Sequence, residues 1–378
     1  MKIEDCHNVD DLRRAARARA HRMVFDYIDG AADDEVAIRN NNHSFRAFEI
    51  VHKVLTGAEQ VDLSTTLLGH RLKVPFFLAP SAGNRLFHKD GERAVAAAAA
   101  KVGTIYSLST LSTVSIEEIA ALTSTPKFFQ LYVWKDRGLV REMLARAREA
   151  GYAAMILTVD MPIAGNRERD KHNRFTIPPK ITLRQIWDAL RAPRWTLDYF
   201  TSPPITYANY AARTKATSLA RFFEEQLHAG FGWRDAEWLL GEWNGTSVLK
   251  GVVSPADAVR AAATGFNGIM LSNHGGRQLD ASPAPITMLG PIRDRIGNDA
   301  ELIVDGGIRR CSDIIKAMAL GANAVSFARP YLYGLAAAGQ QGVERALDLF
   351  VTGLKRDMVL TGASSIAALD ESFIRYKA

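Results

Sequence analysis

Residues 301–330 read ELIVDGGIRRCSDIIKAMALGANAVSFARP. A short apolar run, Glu301–Ile308, ends in two glycines and two arginines. A helical segment opened by Ser312–Asp313 and running through Ile314–Leu320 closes at Gly321, and a second apolar run, Ala324–Pro330, follows. Both runs are nearly continuous in apolar residues rather than alternating, the pattern of strands covered on two faces. The stretch therefore reads as strand, helix, strand, the unit of a parallel sheet.

Working outward, the same unit recurs. Further candidate strands are Val74–Pro80, Thr104–Thr110, Phe128–Val133, Ala153–Asp160, Ser247–Val253 and Gly268–Gly275. Helix starts are legible between them: Asp90 before the Ala-rich Gly91–Val102, Ser115 with Glu118 as a capping-box pair, and Ser254–Pro255 as N-cap and first helical position. Gly103, Gly151, Gly265 and Gly321 stand where helices end. Eight such units predict an α/β fold of the (β/α)8 TIM-barrel type. The competing architecture, an open doubly wound sheet, has fewer strands and a GxGxxG turn after the first. Here the first strand ends in APSAGNR, residues 79–85, without that spacing. The expected organisation is one domain, 1–378. Its barrel covers about 74–362, after an N-terminal helical extension containing the turn YIDGAADDE, with one long insertion or lid at about 165–235 after strand 4.

The 378 residues are 47% hydrophobic and 23% charged, enough for a large core. The formal net charge of +6 is mild for this length and does not by itself argue for nucleic acid. Two cysteines, Cys6 and Cys311, form neither a disulfide framework nor a metal-ligand cluster, so a reducing, cytoplasmic setting is expected and no metal. The N-terminal stretch lacks the apolar core of a secretory signal. No run approaches the ~18 apolar residues of a membrane span.

In a barrel of this kind the catalytic groups stand at the C-terminal ends of the strands. Those ends carry Pro80–Ser81–Ala82, Ser109, Gln130, Tyr132, Thr158, Asp160, Lys250, Ser272, His274, Asp305, Gly307, Arg309, Ala328 and Arg329. The glycines and arginines after strands 7 and 8 lie where barrels bind phosphate, although Gly306–Gly307 also suit a plain tight turn. Lys250, inside an apolar strand, calls for an anionic or electron-rich partner; a snorkelling lysine is the alternative. His274 alone would suit a structural role. With Gly275–Gly276 allowing close approach and Arg277 three residues on, it suits a general base beside a carboxylate-binding guanidinium, with Asp160 a natural partner across the mouth.

These residues resemble the FMN-dependent α-hydroxy-acid oxidising enzymes: glycolate and lactate oxidases, L-lactate dehydrogenases and mandelate dehydrogenases. The resemblance is carried by SNHGGRQLD (272–280), VFDYIDGAADDE (24–35), FFQLYVWKDR (128–137), LTVDMPIAGNRERDKHNRF (157–175), VLKGVVSPADA (248–258) and DGGIRRCSDIIKAMALGANAV (305–325). It implies FMN as cofactor and a 2-hydroxy acid as substrate. His274 would be the base and Asp160 its partner. Arg277, Arg167 and Tyr27 would bind the substrate carboxylate, Tyr132 its hydroxyl, and Leu111 would stand beside its side chain. Lys250 would sit at the flavin N1–O2 edge, with Ser109, Gln130, Thr158, Ser272 and the backbone of Pro80, Ser81 and Ala82 at the ring. Asp305, Gly307, Arg309, Ala328 and Arg329 would hold the ribityl phosphate. The chain departs from the pattern in Asn166, where many members have a second Arg, in Ala328 for Gly, in Leu111 for the Trp of glycolate-preferring members, and in Ala82, where membrane dehydrogenases often have Gly. Leu111 implies room for substrates beyond glycolate.

Within the insertion, residues 180–210 interleave Arg184, Arg191 and Arg194 with Trp187, Leu190, Trp195, Leu197, Tyr199 and Phe200. That mixture suits peripheral contact with a membrane; family members that pass electrons to a membrane quinone resemble it in this loop, so the resemblance implies the inner face of the cytoplasmic membrane and a quinone or other carrier as electron acceptor. The alternatives are a lid packed on the barrel and an oxidase that uses O2 and makes H2O2. A phosphate-binding barrel isomerase or a non-catalytic membrane-surface module would leave the His274–Asp160–arginine set unexplained. A homotetramer is implied by the resemblance.

Overall fold

Residues 2–175, 183–210 and 225–377 are described in this computed structural model. All eight expected strands are present: β1 Phe76–Leu78, β2 Tyr106–Ser109, β3 Lys127–Tyr132, β4 Ala154–Thr158, β5 Ser247–Val252, β6 Gly268–Leu271, β7 Glu301–Asp305 and β8 Ala324–Phe327. They run parallel in chain order and close into a barrel, with Phe327 of β8 paired to Leu78 of β1. Except for β3, which is as long as its run but starts one residue earlier, each strand is shorter than its apolar run, and the polar C-terminal ends of the runs leave the ladder to form the mouth.

The continuous runs are explained by two covered faces. Phe77, Phe128, Ile156, Val248, Met270 and Ile303 form an inner cluster, while Phe76, Leu78, Phe129, Leu157, Leu249 and Leu302 join an outer cluster with the helices. A hairpin, Thr65–Leu67 with His70–Leu72, puts Leu67 and Leu72 into the inner cluster. It closes the N-terminal end of the barrel, where the Leu68 N–H donates to the Glu301 carboxylate at the start of β7. Fully burying side chains of this size stabilises by ~1.5–3 kcal/mol each.

The helix signals hold with two corrections. Helix Gly91–Val102 has the expected bounds, but Asp90 makes no side-chain cap and lies beside His88 instead. The helix after β7 spans Cys311–Ala319 rather than opening at Ser312. The Asp313 carboxylate, inside its first turn, accepts from the N–H groups of Arg309 (2.9 Å) and Arg310 (2.8 Å), which pulls the start forward. The Ser115 and Ser254 caps are made as read.

The N-terminal extension consists of helices Val9–Arg19, Arg22–Asp29 and Val36–His43. Its partners lie far along the chain. Arg345 donates to the Cys6 carbonyl (3.0 and 2.8 Å), and the Tyr333 hydroxyl to buried Asp29 (2.8 Å). Arg13 and Arg169 also bind Asp29. The Asp280 carboxylate accepts from the N–H groups of Val36 (3.0 Å) and Ala37 (2.8 Å) at the start of the third helix.

In place of the expected loop, residues 183–201 form two helices, Leu183–Arg191 and Pro193–Thr201, joined at buried Ala192 with Pro193 in the first turn. Lys180 and the side chain of Arg184, both in the predicted basic–aromatic segment, lie outside the described residues. The aromatics divide. Trp195 is buried, donates to the Leu86 carbonyl (2.8 Å) and stacks on Tyr199 (5.2 Å). Trp187, Leu190, Leu197 and Phe200 are each 59–68% exposed. No helix of the described residues is long and apolar enough to cross a membrane.

Candidate active site

Beyond β6 the chain makes a tight turn in which His274 takes φ +57°. Left-handed backbone of this kind costs a residue other than glycine ~1–3 kcal/mol unless its surroundings impose it. They do so here. The His274 N–H donates to Ser272 Oγ (3.0 Å) and the Gly276 N–H to Asn273 Oδ1 (3.1 Å). The Asn273 amide exchanges two hydrogen bonds with Asn41 (2.7 and 2.8 Å). Gly276 must be glycine: a Cβ there would stand 2.6 Å from the Ile38 nitrogen.

His274 Nδ1 lies 2.9 Å from Asp160 Oδ1, which projects from the end of β4. Burial pushes the Asp160 carboxyl up, but His274 and Lys250 outweigh it and hold it below the usual range. An ionised carboxylate only accepts, so Nδ1 carries the proton and Nε2 presents its lone pair. Burial, with Lys250 and Arg277 nearby, pulls the His274 ring below its ordinary pKa against the opposing pull of Asp160. The result is a neutral base at neutral pH. Gly251 in β5 makes room for the pair, since a Cβ there would come within 2.6 Å of the Asp160 side chain.

Two guanidiniums face this base. Arg277 donates through Nη1 to the carbonyls of Tyr27 (2.6 Å) and Gly30 (3.1 Å), which draws Tyr27 of the N-terminal extension into the mouth. Arg277 and Arg167 lie 4.7 and 5.5 Å from the Tyr27 ring centroid. Among the described residues no carboxylate stands within ion-pairing distance of Arg277, and burial together with Arg167 lowers its pKa. Such a cation favours an incoming carboxylate. Burial, then Tyr27 and Asp160, push the Tyr132 phenol up, so it stays protonated.

Behind the base, Lys250 Nζ lies 3.2 Å from Asp305 Oδ2 and both are buried. Burial works against the Lys250 charge, but Asp305 and Asp160 outweigh it and raise its pKa. Gln130 donates to Thr158 Oγ1 (3.0 Å) and accepts from Ser109 Oγ (3.0 Å). Beyond β7, Gly306 and Gly307 adopt φ of +106° and +80°. The Gly307 and Ile308 N–H groups have no backbone or side-chain acceptor among the described residues. Arg329 donates only to neutral carbonyls, those of Ile28, Gly30 and Gly275. Burial first, then Arg277 and Arg309, lower its pKa to about 10.

These groups border one cavity of about 1080 Å3. Tyr27, Pro80, Ser81, Ala82, Leu111, Gln130, Tyr132, Thr158, Arg167, Lys250, His274, Arg277, Asp305, Gly307, Arg309, Ala328 and Arg329 all line it. Ser109, Asp160 and Ser272 do not; they stand behind Gln130, His274 and Lys250. Sequence reasoning missed several groups, among them Asp170, Gly251 and Tyr207. Asp170 lines the cavity 3.4 Å from Arg167, its pKa raised by burial, and was visible within GNRERD. Gly251, directly after Lys250, gave a faint signal. Tyr207 gave none: the segment after Ser202 carries it into the cavity wall, anchored by the Ala208 N–H on the Ser112 carbonyl (3.0 Å) and by Asn209 on Ser112 Oγ (3.0 Å).

A barrel whose mouth joins a His–Asp pair, two arginines and free N–H groups after β7 and β8 has the site of an enzyme that acts on a small acid beside a second anionic ligand. The chain belongs to the FMN-dependent dehydrogenase family, whose model matches residues 16–376. It is 40% identical to a putative L-lactate dehydrogenase of Mycobacterium tuberculosis, over 96% of this chain and 87% of that one. It is 39% identical to an L-lactate oxidase of Nostoc, over 97% of each chain. It is 36% identical to an (S)-mandelate dehydrogenase of Pseudomonas putida, over 98% and 94%. The solved structure of a monotopic membrane protein, (S)-mandelate dehydrogenase, superposes with a TM-score of 0.95 at 36% identity, covering 99% of this chain and 100% of that one. The protein is an FMN-dependent oxidoreductase of 2-hydroxy acids. Its own residues fit the cofactor. The cavity exceeds the ~300–1,000 Å3 usual for one small ligand, leaving room for substrate beside a flavin. Free backbone N–H groups, Arg309 and a buried Arg329 without an acid partner suit a phosphate.

Proposed function

We infer that the chain oxidises an (S)-2-hydroxy acid larger than glycolate, L-lactate or a bulkier acid such as mandelate, to the 2-oxo acid. The observation that carries this reading is the His274–Asp160 pair set against Arg277 and Arg167 in one cavity. Bound FMN supplies the acceptor for two electrons. Arg277 and Arg167, with Tyr27, take the substrate carboxylate and orient it. His274 Nε2 takes a proton from the substrate while Asp160 holds Nδ1–H and stabilises the imidazolium that forms. Tyr132 donates to the substrate hydroxyl oxygen. Lys250 would keep a positive charge at the flavin N1–O2 edge. Gln130, Thr158 and the backbone of Pro80 to Ala82 would hold the ring, with Ser109 fixing Gln130. Asp305 would take the ribityl chain, and Gly307, Arg309, Ala328 and Arg329 the phosphate. Leu111, Phe87, Phe175, Tyr207 and Leu227 line the same cavity and suit an apolar substrate side chain.

Electrons leave, in this reading, to a quinone or similar carrier at the inner face of the cytoplasmic membrane, from a homotetramer. Support comes from the outward face of helices 183–201, where Trp187, Leu190, Leu197 and Phe200 are exposed and Arg191 stacks on Trp187 (5.3 Å). The monotopic relative points the same way. Oxidation by O2 is the second reading, favoured by the likeness to the Nostoc L-lactate oxidase. The test is anaerobic bleaching of the flavin by a panel of (S)- and (R)-2-hydroxy acids, followed by admission of O2. Bleaching by none of them overturns the reading, and rapid reoxidation by O2 selects the oxidase. If the protein never sediments with anionic vesicles, the membrane contact is wrong.

A further inference from the structure

Ser272, read from sequence as a contact of the flavin ring, spends its hydroxyl on three groups of the protein. It is 1% exposed, just past the end of β6. Its Oγ lies 2.7 Å from Asp305 Oδ2, 3.0 Å from Lys250 Nζ and 3.0 Å from the His274 nitrogen. A serine hydroxyl has one proton and two lone pairs. The carboxylate oxygen takes the proton; the ammonium and the peptide N–H, which only donate, take both lone pairs. The carboxylate is fixed in turn, since its other oxygen accepts from Ser326 Oγ (2.7 Å).

This saturated hydroxyl joins a cation on β5, a carboxylate on β7 and the backbone of the one turn residue that must hold a left-handed conformation and carry the base. We propose that Ser272 is a positioning residue, whose hydroxyl sets the Lys250 ammonium and the His274 backbone in a fixed mutual placement. The proposal rests on reading Lys250 as the cation at the flavin edge and His274 as the base. Without the hydroxyl, Lys250 keeps only Asp305 and swings toward it, away from the flavin edge and from His274. His274 loses the acceptor that fixes its N–H. The groups facing Lys250 and His274 in this network are Asp160, Asp305 and Arg277.

The experiment uses the FMN-loaded enzyme as wild type, Ser272→Ala and Ser272→Thr. Three quantities are read: the FMN dissociation constant, the dissociation constant of sulfite, whose addition to bound flavin is favoured by a nearby cation, and the acid limb of kcat/KM. For Ser272→Ala, sulfite should bind about tenfold more weakly and kcat should fall by about tenfold or more, with FMN affinity and KM within about threefold. The acid limb should move to higher pH, because a retreating Lys250 no longer depresses the His274 pKa. Ser272→Thr, which restores the hydroxyl, should recover sulfite affinity and the limb. Loss of FMN affinity with sulfite binding and the limb unchanged would make Ser272 a direct cofactor contact and overturn the proposal. A change in melting temperature alone would make it a core filler and would overturn the proposal equally. The FMN and sulfite arms need no turnover, so they judge Ser272 even if no 2-hydroxy acid bleaches the wild-type enzyme and the functional reading fails.

Discussion

Toward its N-terminal end the barrel interior holds Phe77, Phe128, Val248, Met270 and Ile303 against Leu67 and Leu72 of the plugging hairpin. Further along the same strands and their ends it holds Gln130, Thr158, Lys250 and Asp305, buried almost as deeply. Dispersion and loss of water-exposed area hold the first region, and nothing there requires a particular chemistry. In the second, every buried charge or donor must find a partner, and the groups whose partners are incomplete, Arg277 and Arg329 above all, mark where ligands go. One end sets stability and the other stores unmet bonding capacity.

Mutations should separate the two ends. His274→Gln should lower kcat by ~10²–10⁴-fold while leaving the melting temperature close to wild type; a large drop in melting temperature would show that the mouth also holds the fold. Phe77→Ala should destabilise by ~3–5 kcal/mol in denaturant titration, with turnover per folded molecule retained. Asp29 belongs to neither end and tests the clamp on the N-terminal extension. Burial pushes its carboxyl up, but Arg13, Tyr333 and Arg169 outweigh this and hold it at about 2, against an ordinary value of 3.8. A folded-state pKa below the unfolded one gives stability that is present above about pH 4 and lost as pH falls toward 2. The loss should be ~2 kcal/mol, seen as acid unfolding that is shallower in Asp29→Asn than in wild type over that window.

Smaller effects sharpen the electrostatics of the mouth. The active form of His274 is neutral, so kcat/KM should rise with pH through a limb below the ordinary histidine value. Lys250→Met removes a depressing charge and should move that limb up; Asp160→Asn removes a raising one and should move it down, while also slowing turnover. Shifts in the same direction would show that the limb belongs to another group. Smallest of all, replacing Trp187, Leu190, Leu197 and Phe200 by Ser should change stability by no more than ~0.5 kcal/mol per site. Turnover with a soluble dye should be intact and sedimentation with anionic vesicles lost. Substitution is cleaner than deleting the helices, because Trp195 and the Asp198–Arg19 ion pair (2.8 Å) tie the inner face of Pro193–Thr201 to the protein.

Much of this was legible in the sequence, for physical reasons that vary by element. The eight strands were readable because two covered faces demand unbroken apolar runs. The residues lining the mouth were readable because a Gln, Lys or Asp inside such a run is costly unless used. Insertion helices 183–201 are harder to read because Pro193 divides them into two segments of nine residues each, in which interleaved Arg and aromatics suit an exposed surface as readily as a helix. The Asn41–Asn273 pair joins residues 232 apart, and Tyr207 reaches the cavity from beyond the surface helices; neither is announced by local pattern. Ser272 stands out in the sequence, but two of the three groups bonded to its hydroxyl, Lys250 and Asp305, come from β5 and β7, which no reading of β6 could supply.

The docking of the N-terminal extension bears on how the molecule is made. Helices Val9–Arg19, Arg22–Asp29 and Val36–His43 are synthesised before the residues that hold them, since Asn273, Arg277, Asp280, Tyr333 and Arg345 lie some hundreds of residues later in the chain. During synthesis at roughly 5–20 residues per second, those helices wait for tens of seconds without their landing surface. The contacts that seat Tyr27 at the mouth come from Arg277, beyond β6, and Arg329, beyond β8. A chain arrested before Arg329 would lack the contacts that seat this tyrosine, so synthesis of the later barrel units is itself a step of active-site assembly.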